Sequence, residues 1–442
     1  MNSTSRIFLC LLLLVFVAAY PASAQSSFLN SSRNVRIGLL SQGLQTTWQI
    51  EPSTGFIEIF DQSKKQSVYS GKADKIVLSA MSGGKMKVAV DQRKSLYYFS
   101  NELVFSALGR TPINLKVKAG SRKNYSYRGS IAITPQKSGL RGINIVDIED
   151  YLKSVVPCEI FNRAPDAAQQ AQAIAARTYA VRNLHRHSNS DNFQLCDTVH
   201  CQAYTGIARE IKFATKAVKD TYGKILTFGK EPANTVYHSN CGGYLIDSRA
   251  AWNGSEVPYL IGHFDGIAVE KPFCFYGSQI KKNKLTCSLP KTRPSISIKR
   301  MPAKSKKACY KNFGHRVGMC QDGAIGMAAI GYNSRQILDF YYPGTRLATM
   351  RYADPSTAPV ETQKPIVVAS LPMPNPEQIE LITPPNPTQL NALRHSNKTR
   401  QNSRSIRETL KQISTGKNGS KAHELRKIFW TPGQPEISRS IY

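Results

Sequence analysis

The sequence has few acidic residues and, beyond its first 24 positions, no apolar run long enough to cross a membrane. Lys and Arg number 59 against 29 Asp and Glu, which gives a formal net charge of +30. Such a shortage of negative charge favours an acidic polymer as partner. No internal repeat is evident, and a hydrophobic content of 41% excludes wholesale disorder.

The first 24 residues are typical of an export signal. Arg6 supplies positive charge, residues 7–20 are apolar, and residues 21–24 form a small-x-small cleavage site before Gln25. The apolar run is shorter than the ~20 residues that a membrane-spanning helix needs. We therefore expect an exported protein in the periplasm, the cell envelope or the medium, with no transmembrane segment after signal removal.

The basic residues are concentrated in residues 281–311, which contain 11 Lys and Arg and no Asp or Glu. Clustered positive charge is typical of nucleic-acid binding. The export signal and the near absence of aromatic residues in this segment argue against nucleic acid as a partner. An acidic extracellular polymer or the cell wall is the better candidate, and a solvated loop that only keeps the protein soluble explains the same pattern.

The order of local patterns predicts an α+β protein, with a β-rich domain and a few packed helices. From residue 34 to about residue 146, short β-rich stretches alternate with turn residues, which is typical of strands. Periodicity predicts further elements, namely helices at 148–156 (ended by Pro157), 164–186, 208–222 and 334–342, and strands at 224–228 and 234–238. We expect one domain over residues 25–350, strand-rich to about 146 and helix-containing over 147–350.

The composition changes beyond about Tyr352. Residues 355–387 contain nine prolines, and residues 391–442 are polar, basic and without apolar periodicity. Such a chain cannot bury enough apolar surface to offset the entropy of folding. Residues 351–442 are therefore predicted to form a flexible, disordered tail that is first Pro-rich and then basic.

One carboxylate has mostly apolar neighbours in the sequence, because Glu159 follows Val155, Val156 and Pro157 and precedes Ile160. A charged side chain is costly in apolar surroundings unless it is paired or has a function. By itself, a Glu just past a helix end is more often a solvated or capping group.

Three groups of motifs follow one another along the chain. They are "VVPCE" with "AQAIAARTYAVRN" (155–159, 171–183), "LCDTVHCQAYTG" with "VYHSNCGGY" (195–206, 236–244), and "GHRVGMCQDGAIGMAAIGY" with "ILDFYYPGT" (314–332, 337–345). In this order they resemble the stage II sporulation protein D (SpoIID) and LytB amidase-enhancer family of bacterial cell-wall proteins. The resemblance covers roughly residues 35–350.

The resemblance implies a lytic transglycosylase, with Glu159 as the catalytic Glu of the family's "VVP-x-E" motif. Most glycosidases need two carboxylates. A lytic transglycosylase uses the substrate's own C6 hydroxyl as nucleophile, so one Glu protonates the bridging oxygen between N-acetylmuramic acid and N-acetylglucosamine and then accepts the hydroxyl proton. The product carries a 1,6-anhydro ring. Apolar neighbours should raise the pKa of Glu159 above the usual ~4.3.

The family also implies a substrate and a partner. The expected substrate is a peptidoglycan glycan strand already stripped of its stem peptides. The alternative function is a non-catalytic peptidoglycan-binding module that stimulates an N-acetylmuramoyl-L-alanine amidase, as the LytB name suggests. Loss of Glu159 separates the two functions, because only the enzyme depends on it.

Further residues are expected to bind substrate, namely Arg177, His238, Ser239, His315 and Gln321. Arg177 occupies the place of a family Arg, where a guanidinium can hold the lactyl carboxylate of muramic acid in bidentate fashion. An ion pair inside the protein, for example with Asp197, explains Arg177 equally well. The other four residues lie in Gly-rich loops, which allow a ligand to approach the backbone closely.

Cys196, His200 and Cys201 have a spacing that suits one metal ion, and some family members carry zinc near the active site. The spacing shows no fourth ligand, although His187, His238 and Cys241 are possible ones. Without Cys10 of the signal, eight cysteines remain, an even number for an oxidising compartment. The sequence therefore favours disulfides or structural thiols over zinc, and the expected reaction requires no cofactor.

The chain departs from the family where relatives read "GHGVGMSQYGA". Arg316, Cys320 and Asp322 stand at the Gly, Ser and Tyr positions, and Cys158 replaces a common Ser beside the catalytic Glu. We hypothesise a disulfide between Cys158 and Cys320, which requires Cα atoms within ~7 Å. A nucleophile formed by Cys158 or Cys320 with His315 is a second enzymatic alternative, although no oxyanion-hole pattern supports it.

Overall fold

The computed structural model describes residues 33–91, 96–99, 101–109, 114–187, 191–266, 272–282, 311–350 and 352. All the described residues belong to one compact unit, which lies within residues 1–360. The predicted export signal, most of the basic segment 281–311 and, apart from Tyr352, the predicted tail lie outside the described residues. These three predictions therefore stay predictions.

Short strands make up the described N-terminal part of the chain. They are β1 (Asn34–Gly38), β2 (Thr47–Pro52), β3 (Phe56–Asp61), β4 (Gln66–Lys72), β5 (Ile76–Met81), β6 (Lys85–Val90), β7 (Leu96–Phe99), β8 (Leu103–Ala107), β9 (Asn114–Ala119), β10 (Tyr125–Arg128), β11 (Ser130–Gln136) and β12 (Gly139–Asp147). With β13 (Leu195–Cys196) they form a seven-stranded sheet, in the order β13-β1-β12-β11-β8-β3-β4, and a six-stranded sheet, in the order β10-β9-β2-β5-β6-β7.

The two sheets meet at Trp48. Alternate residues of β2 are buried, as the two-residue period of a strand requires when one face packs on a core. The buried Trp48 ring lies against Gly142 of β12, where an added Cβ would come within 2.2 Å of it. The ring Nε1–H donates to the carbonyl of Leu140 at 3.2 Å, which satisfies its polar atom inside the core.

Helices begin directly after β12 and alternate with short strands. The helices are α1 (Ile148–Glu159), α2 (Asp166–Arg182), α3 (Lys212–Asp220), α4 (Ser248–Trp252), α5 (Phe273–Lys281), α6 (Gln321–Ala329) and α7 (Ser334–Tyr341), and the strands are β14 (Lys224–Phe228), β15 (Glu231–Pro232), β16 (Tyr237–His238), β17 (Met319–Cys320) and β18 (Arg346–Thr349). The order β15-β14-β18 forms a small sheet, and β16 pairs with β17. The expected α+β fold is confirmed.

The end of α1 differs from the expectation. Asp147 caps the helix by accepting the backbone N–H groups of Glu149 and Asp150. The predicted stop at Pro157 is wrong, because the helix continues through it to Glu159. A proline in the last turn removes one hydrogen bond, and the N–H of Ile160 still donates to the carbonyl of Val156 at 3.0 Å. Glu159 is therefore the last residue of α1. The strand predicted at 234–238 was also too long, since only residues 237–238 pair.

Helix α2 is the centre of the helical part. Every residue from 171 to 180 is buried, because α1, α3, α6, α7 and β14 all pack around it. Its many alanines allow these elements to approach its backbone closely. Among the residues that the structure describes, none of the helices combines the length and the apolar character required to cross a bilayer.

Candidate functional site

Glu159 is half-buried at the C-terminal end of α1. Its Oε1 accepts the backbone N–H of Ala203 at 2.7 Å. Burial raises the pKa of Glu159 to about 7, against the opposing effects of hydrogen bonds from Ala203 and the Gln321 side chain. None of the groups that shift this pKa is a second carboxylate or a cation. The carboxyl is thus available in both protonation states near neutral pH.

Aromatic and amide groups surround this carboxyl. The Gln202 side chain donates from Nε2 to the Tyr237 hydroxyl at 2.8 Å and accepts the Tyr151 hydroxyl at 3.2 Å. The pKa values of Tyr151 and Tyr237 are raised, chiefly by burial and further by the charge of Glu159. Both hydroxyls therefore stay protonated, and the site around Glu159 carries no fixed charge from them.

The pairing of β16 with β17 brings the two Gly-rich loops together. His238 lies opposite Cys320 in this parallel pair, so the half-buried Ser239 and the buried Gln321 follow side by side. Gln321 donates from Nε2 to Gln172 Oε1 at 3.4 Å, and its side chain lies close enough to Glu159 to lower the pKa of that carboxyl. Of the residues predicted to bind substrate, Gln321 contacts the catalytic candidate directly, and His238 and Ser239 lie on the adjacent strand and loop.

A row of rings extends from this pairing. The His238 and His315 rings are 5.3 Å apart, and the His315 ring is 5.3 Å from Trp252. His238 is buried, with Nδ1 3.1 Å from the carbonyl of Val317 and with an Nε2 that has no hydrogen-bond partner in the structure. Burial, followed by the neighbouring His238, lowers the pKa of His315 to about 3, so His315 is neutral at physiological pH.

Trp252, at the end of α4, is a member of this row that sequence patterns did not indicate. Its side chain stays 47% exposed although it contacts His315. An exposed indole face next to polar rings suits the stacking of a sugar ring. The five-residue helix that holds it has no apolar periodicity that would have revealed it.

Arg177 lies inside the protein, so the structure favours the ion-pair alternative over the predicted contact with substrate. The residue is fully buried, and its Nε and Nη2 donate to the two carboxylate oxygens of Glu149 at 2.8 and 2.7 Å. The Tyr352 hydroxyl and the N–H of Gly223 donate to the same carboxylate, at 2.6 and 3.1 Å. The ion-pair alternative holds, although with Glu149 as partner and not with Asp197. The pair fastens the first turn of α1 to α2.

A possible metal site lies beside Ala203, whose N–H donates to Glu159. His187, Cys196, His200 and Cys201 each offer a ligand atom, and these atoms all lie within 4.8 Å of one another. The Cys201 sulfur is 3.4 Å from His187 Nε2 and 3.6 Å from His200 Nδ1, and the Cys196 sulfur is also 3.6 Å from His200 Nδ1. Tetrahedral zinc with ordinary bond lengths separates sulfur and nitrogen ligands by about 3.6 Å. The residues present fit zinc, with His187 as the fourth ligand.

The cysteines of the described residues form no disulfide. All six are free thiols, namely Cys158, Cys196, Cys201, Cys241, Cys274 and Cys320. The hypothesised bond between Cys158 and Cys320 is therefore wrong: the Cys158 sulfur lies 3.7 Å from the Thr205 hydroxyl, and the Cys320 sulfur accepts backbone N–H groups of other residues. Burial raises the pKa of Cys158, which argues against this thiol as a nucleophile at neutral pH.

Comparisons with known proteins agree with these motifs. A profile of the family described as "Stage II sporulation protein" matches residues 136–228, which include Glu159 and the four metal-site residues. An uncharacterized protein of Brachyspira hyodysenteriae is 30% identical over 262 residues, covering 49% of this chain and 71% of that protein. Stage II sporulation protein D of Bacillus subtilis is 25% identical over 278 residues, covering 49% of this chain and 79% of that protein. The amidase enhancer of Bacillus subtilis is 34% identical over 145 residues, covering 33% of this chain and 19% of that protein.

Proposed function

Because this chain belongs to the stage II sporulation protein D and LytB family, we propose that it is an exported lytic transglycosylase that cleaves peptidoglycan glycan strands. Family membership accounts for a role at the cell wall. The finer proposal is supported above all by Glu159, whose carboxyl has a pKa raised to about 7 and is oriented by Ala203.

The reaction needs one proton carrier. In the first step, protonated Glu159 donates its proton to the oxygen that joins C1 of N-acetylmuramic acid to N-acetylglucosamine. The bond between C1 and this oxygen then breaks. The muramic acid C6 hydroxyl attacks C1 and gives its proton to the Glu159 carboxylate. The products are a 1,6-anhydro end and a free N-acetylglucosamine hydroxyl, and the enzyme regains its starting state. A general acid and base works best when its pKa lies near the working pH.

The remaining residues position the sugar. Gln321 contacts Glu159, and neutral His315 with half-buried Ser239 offers hydrogen-bonding groups without charge. The preferred strand is one without stem peptides, which would otherwise crowd this row.

Zinc, when bound by His187, Cys196, His200 and Cys201, supplies a rigid structural tie, since four protein ligands fill its tetrahedral shell. The loop from Cys201 leads within two residues to Ala203, whose N–H orients Glu159. These residues thus hold the catalytic carboxyl in place and take no part in proton transfer.

Product analysis tests the proposal. Purified protein is incubated with sacculi that an amidase has stripped of peptides, and the released fragments are identified by mass spectrometry. We expect fragments that end in 1,6-anhydro-N-acetylmuramic acid, which are lighter by one water than the products of hydrolysis. Fragments with reducing muramic acid ends, or no fragments at all, would contradict the transglycosylase proposal.

A second candidate function is the stimulation of an N-acetylmuramoyl-L-alanine amidase. The similarity to the amidase enhancer of Bacillus subtilis supports it. An enhancer that only binds peptidoglycan should stimulate amidase equally well with Gln at position 159. Stimulation without any anhydro product from the wild-type chain would favour this function.

We expect the rate of glycan cleavage to fall as pH rises above about 7. The first step requires protonated Glu159, and its raised pKa places the loss of that proton near pH 7 instead of near 4.5. The second-order rate constant should drop about tenfold per pH unit on the alkaline side. A profile of kcat/KM that begins below pH 4.5 and extends to pH 9 checks this, and an alkaline limb centred near pH 4.5 would show that the site does not raise the pKa of Glu159.

Trp252→Ala should raise the KM for glycan strands several-fold and leave kcat nearly unchanged. Aromatic stacking contributes about 0.5–1.5 kcal/mol beyond burial, which corresponds to a roughly 2- to 12-fold change in affinity. Trp252→Phe should restore most of the affinity. Phe213→Ala removes a comparably exposed aromatic residue from α3 (56% against 47%) and serves as the control. Equal KM values for the Trp252→Ala and Phe213→Ala proteins would rule out Trp252 as a sugar platform.

A further inference from the structure

A second group of metal-ligating side chains lies behind the Gly-rich loops. Cys241, Asp265, Cys274 and Cys320 each direct one ligand atom into a common space, and these atoms lie within 4.8 Å of one another. All four residues are buried, with at most 1% exposure. They come from four different places in the chain: the loop after β16, the loop before α5, α5 itself and β17. The convergence is therefore a product of the tertiary fold.

Cys320 has two N–H donors that favour a negatively charged sulfur, and it also has the carbonyl of Ser239, 3.8 Å from its Sγ, as an acceptor for a thiol proton. Its Sγ accepts the N–H of Cys241 and the N–H of Gly323, both at 3.3 Å. Cys320 is also the N-cap of α6, so it lies at the positive end of a nine-residue helix. Hydrogen bonds of this kind stabilise a thiolate and are typical of the surroundings of metal-bound sulfur.

Asp265 has polar partners but no cation among them. Its Oδ1 accepts the Tyr341 hydroxyl at 2.7 Å, and its Oδ2 accepts the thiol of Cys241 at 3.1 Å and the N–H of Cys274 at 3.0 Å. A fully buried carboxylate is costly unless a positive charge compensates it. The neighbouring Lys281 is occupied elsewhere, since its Nζ pairs with Asp322 at 2.9 Å.

We propose that Cys241, Asp265, Cys274 and Cys320 bind a structural zinc ion, in addition to any ion held by the His187 cluster. Three sulfur ligands and one oxygen ligand complete a tetrahedral shell and leave no position for substrate. The three thiols release their protons when the ion binds, and the N–H groups that donate to Cys320 and Asp265 offset part of the negative charge that remains on the site. The bound ion also protects the three sulfur atoms in an oxidising compartment. Binding requires Cys241 and Asp265 to separate by about 0.5 Å, because zinc holds such ligands about 3.6 Å apart.

The ion would fasten the two loops that line the candidate active site. Cys241 follows Ser239 closely, and Cys320 precedes Gln321, the side chain that reaches Glu159. The proposal does not depend on transglycosylase activity, since it concerns the binding of metal and the state of the thiols. A disulfide between two of the three cysteines is the competing arrangement, and it would leave the third as a free thiol.

Metal content tests the proposal. The full chain is produced without a His tag and purified without chelators. Its zinc content is measured by inductively coupled plasma mass spectrometry. We expect two zinc ions per chain in the wild type, one in Cys274→Ser, one in Cys196→Ser of the first site, and none in the double variant. Cys287 and Cys309 lie outside the described residues, and the control Cys287→Ser/Cys309→Ser should keep both ions.

The state of the thiols gives a second test that needs no variant. Wild-type protein is unfolded in chelator without reductant, alkylated and digested, and the peptides with Cys241, Cys274 and Cys320 are quantified. Zinc binding predicts complete alkylation of all three. If two of these cysteines stayed unalkylated and their peptides were found linked by a disulfide, the proposal would be overturned. Unchanged zinc content in a folded Cys274→Ser protein, or loss of an ion from the Cys287/Cys309 control, would overturn it as well.

Discussion

Replacement of Glu159 by Gln should reduce the release of anhydro products by about 10²- to 10⁴-fold, the usual contribution of a general acid and base. The amide has nearly the same shape, and its oxygen still accepts the N–H of Ala203. It cannot donate a proton of comparable acidity to the glycosidic oxygen or take one from the C6 hydroxyl. Initial rates on peptide-stripped glycan strands, measured by chromatography with mass detection, check the effect.

The same variant should be more stable than the wild type above pH 7. A folded-state pKa of about 7, against an ordinary value of 4.5, means that the folded protein binds this proton more tightly than the unfolded chain does. Stability therefore falls as pH rises from about 4.5 to 7, by at most roughly 3 kcal/mol. Glu159→Gln escapes this loss. Urea unfolding should show the two proteins close together near pH 4.5 and apart at pH 8.

Glu58→Gln is the matched control for both measurements, because Glu58 is a half-buried carboxylate on β3 in the seven-stranded sheet. It should leave the cleavage rate unchanged. If Glu159→Gln retained the wild-type rate, Glu159 would not be the acid. If it lost cleavage but still stimulated an amidase, the chain would carry both functions of the family separately.

Arg177→Met should lower the free energy of unfolding by about 3–5 kcal/mol, the usual cost of leaving one partner of a buried ion pair alone. The guanidinium is fully buried, and both oxygens of Glu149 depend on it. Without Arg177, the Glu149 carboxylate keeps the Tyr352 hydroxyl and the Gly223 N–H as donors but loses the cation that balances its charge. Urea or thermal unfolding at neutral pH measures the loss.

Arg182→Ala on the same helix is the control for this variant. Its partner Glu231 is 3.6 Å away, and the two side chains are 46% and 57% exposed, so the loss should be below about 1 kcal/mol. The double variant Glu149→Gln/Arg177→Met should recover part of the stability lost in Arg177→Met, since it removes the unpaired charge. Equal losses for Arg177→Met and Arg182→Ala would show that the buried pair has no special importance.

Local patterns predicted those parts of the fold that depend on neighbouring residues. Helix α2 and strand β14 appeared close to the expected positions, because apolar spacing and turn residues act over a few residues. The stop at Pro157 failed because packing of α1 against α2 outweighs the loss of one hydrogen bond at a helix end. Trp252 was missed because an exposed ring in a short helix has no periodic signal.

By itself, the sequence determined the α+β class, the family motifs and the apolar surroundings that make Glu159 an acid with a raised pKa. Only the tertiary structure decided that Arg177 pairs with Glu149, that His187 joins the Cys196 cluster, and that Asp265 meets three distant cysteines. The physical reason is the distance along the chain over which each kind of interaction acts. Propensity and apolar flanks act between neighbours in the chain, whereas an ion pair or a metal site depends on how remote strands and helices pair, as β16 and β17 do. Spacing along the chain carries no record of that pairing.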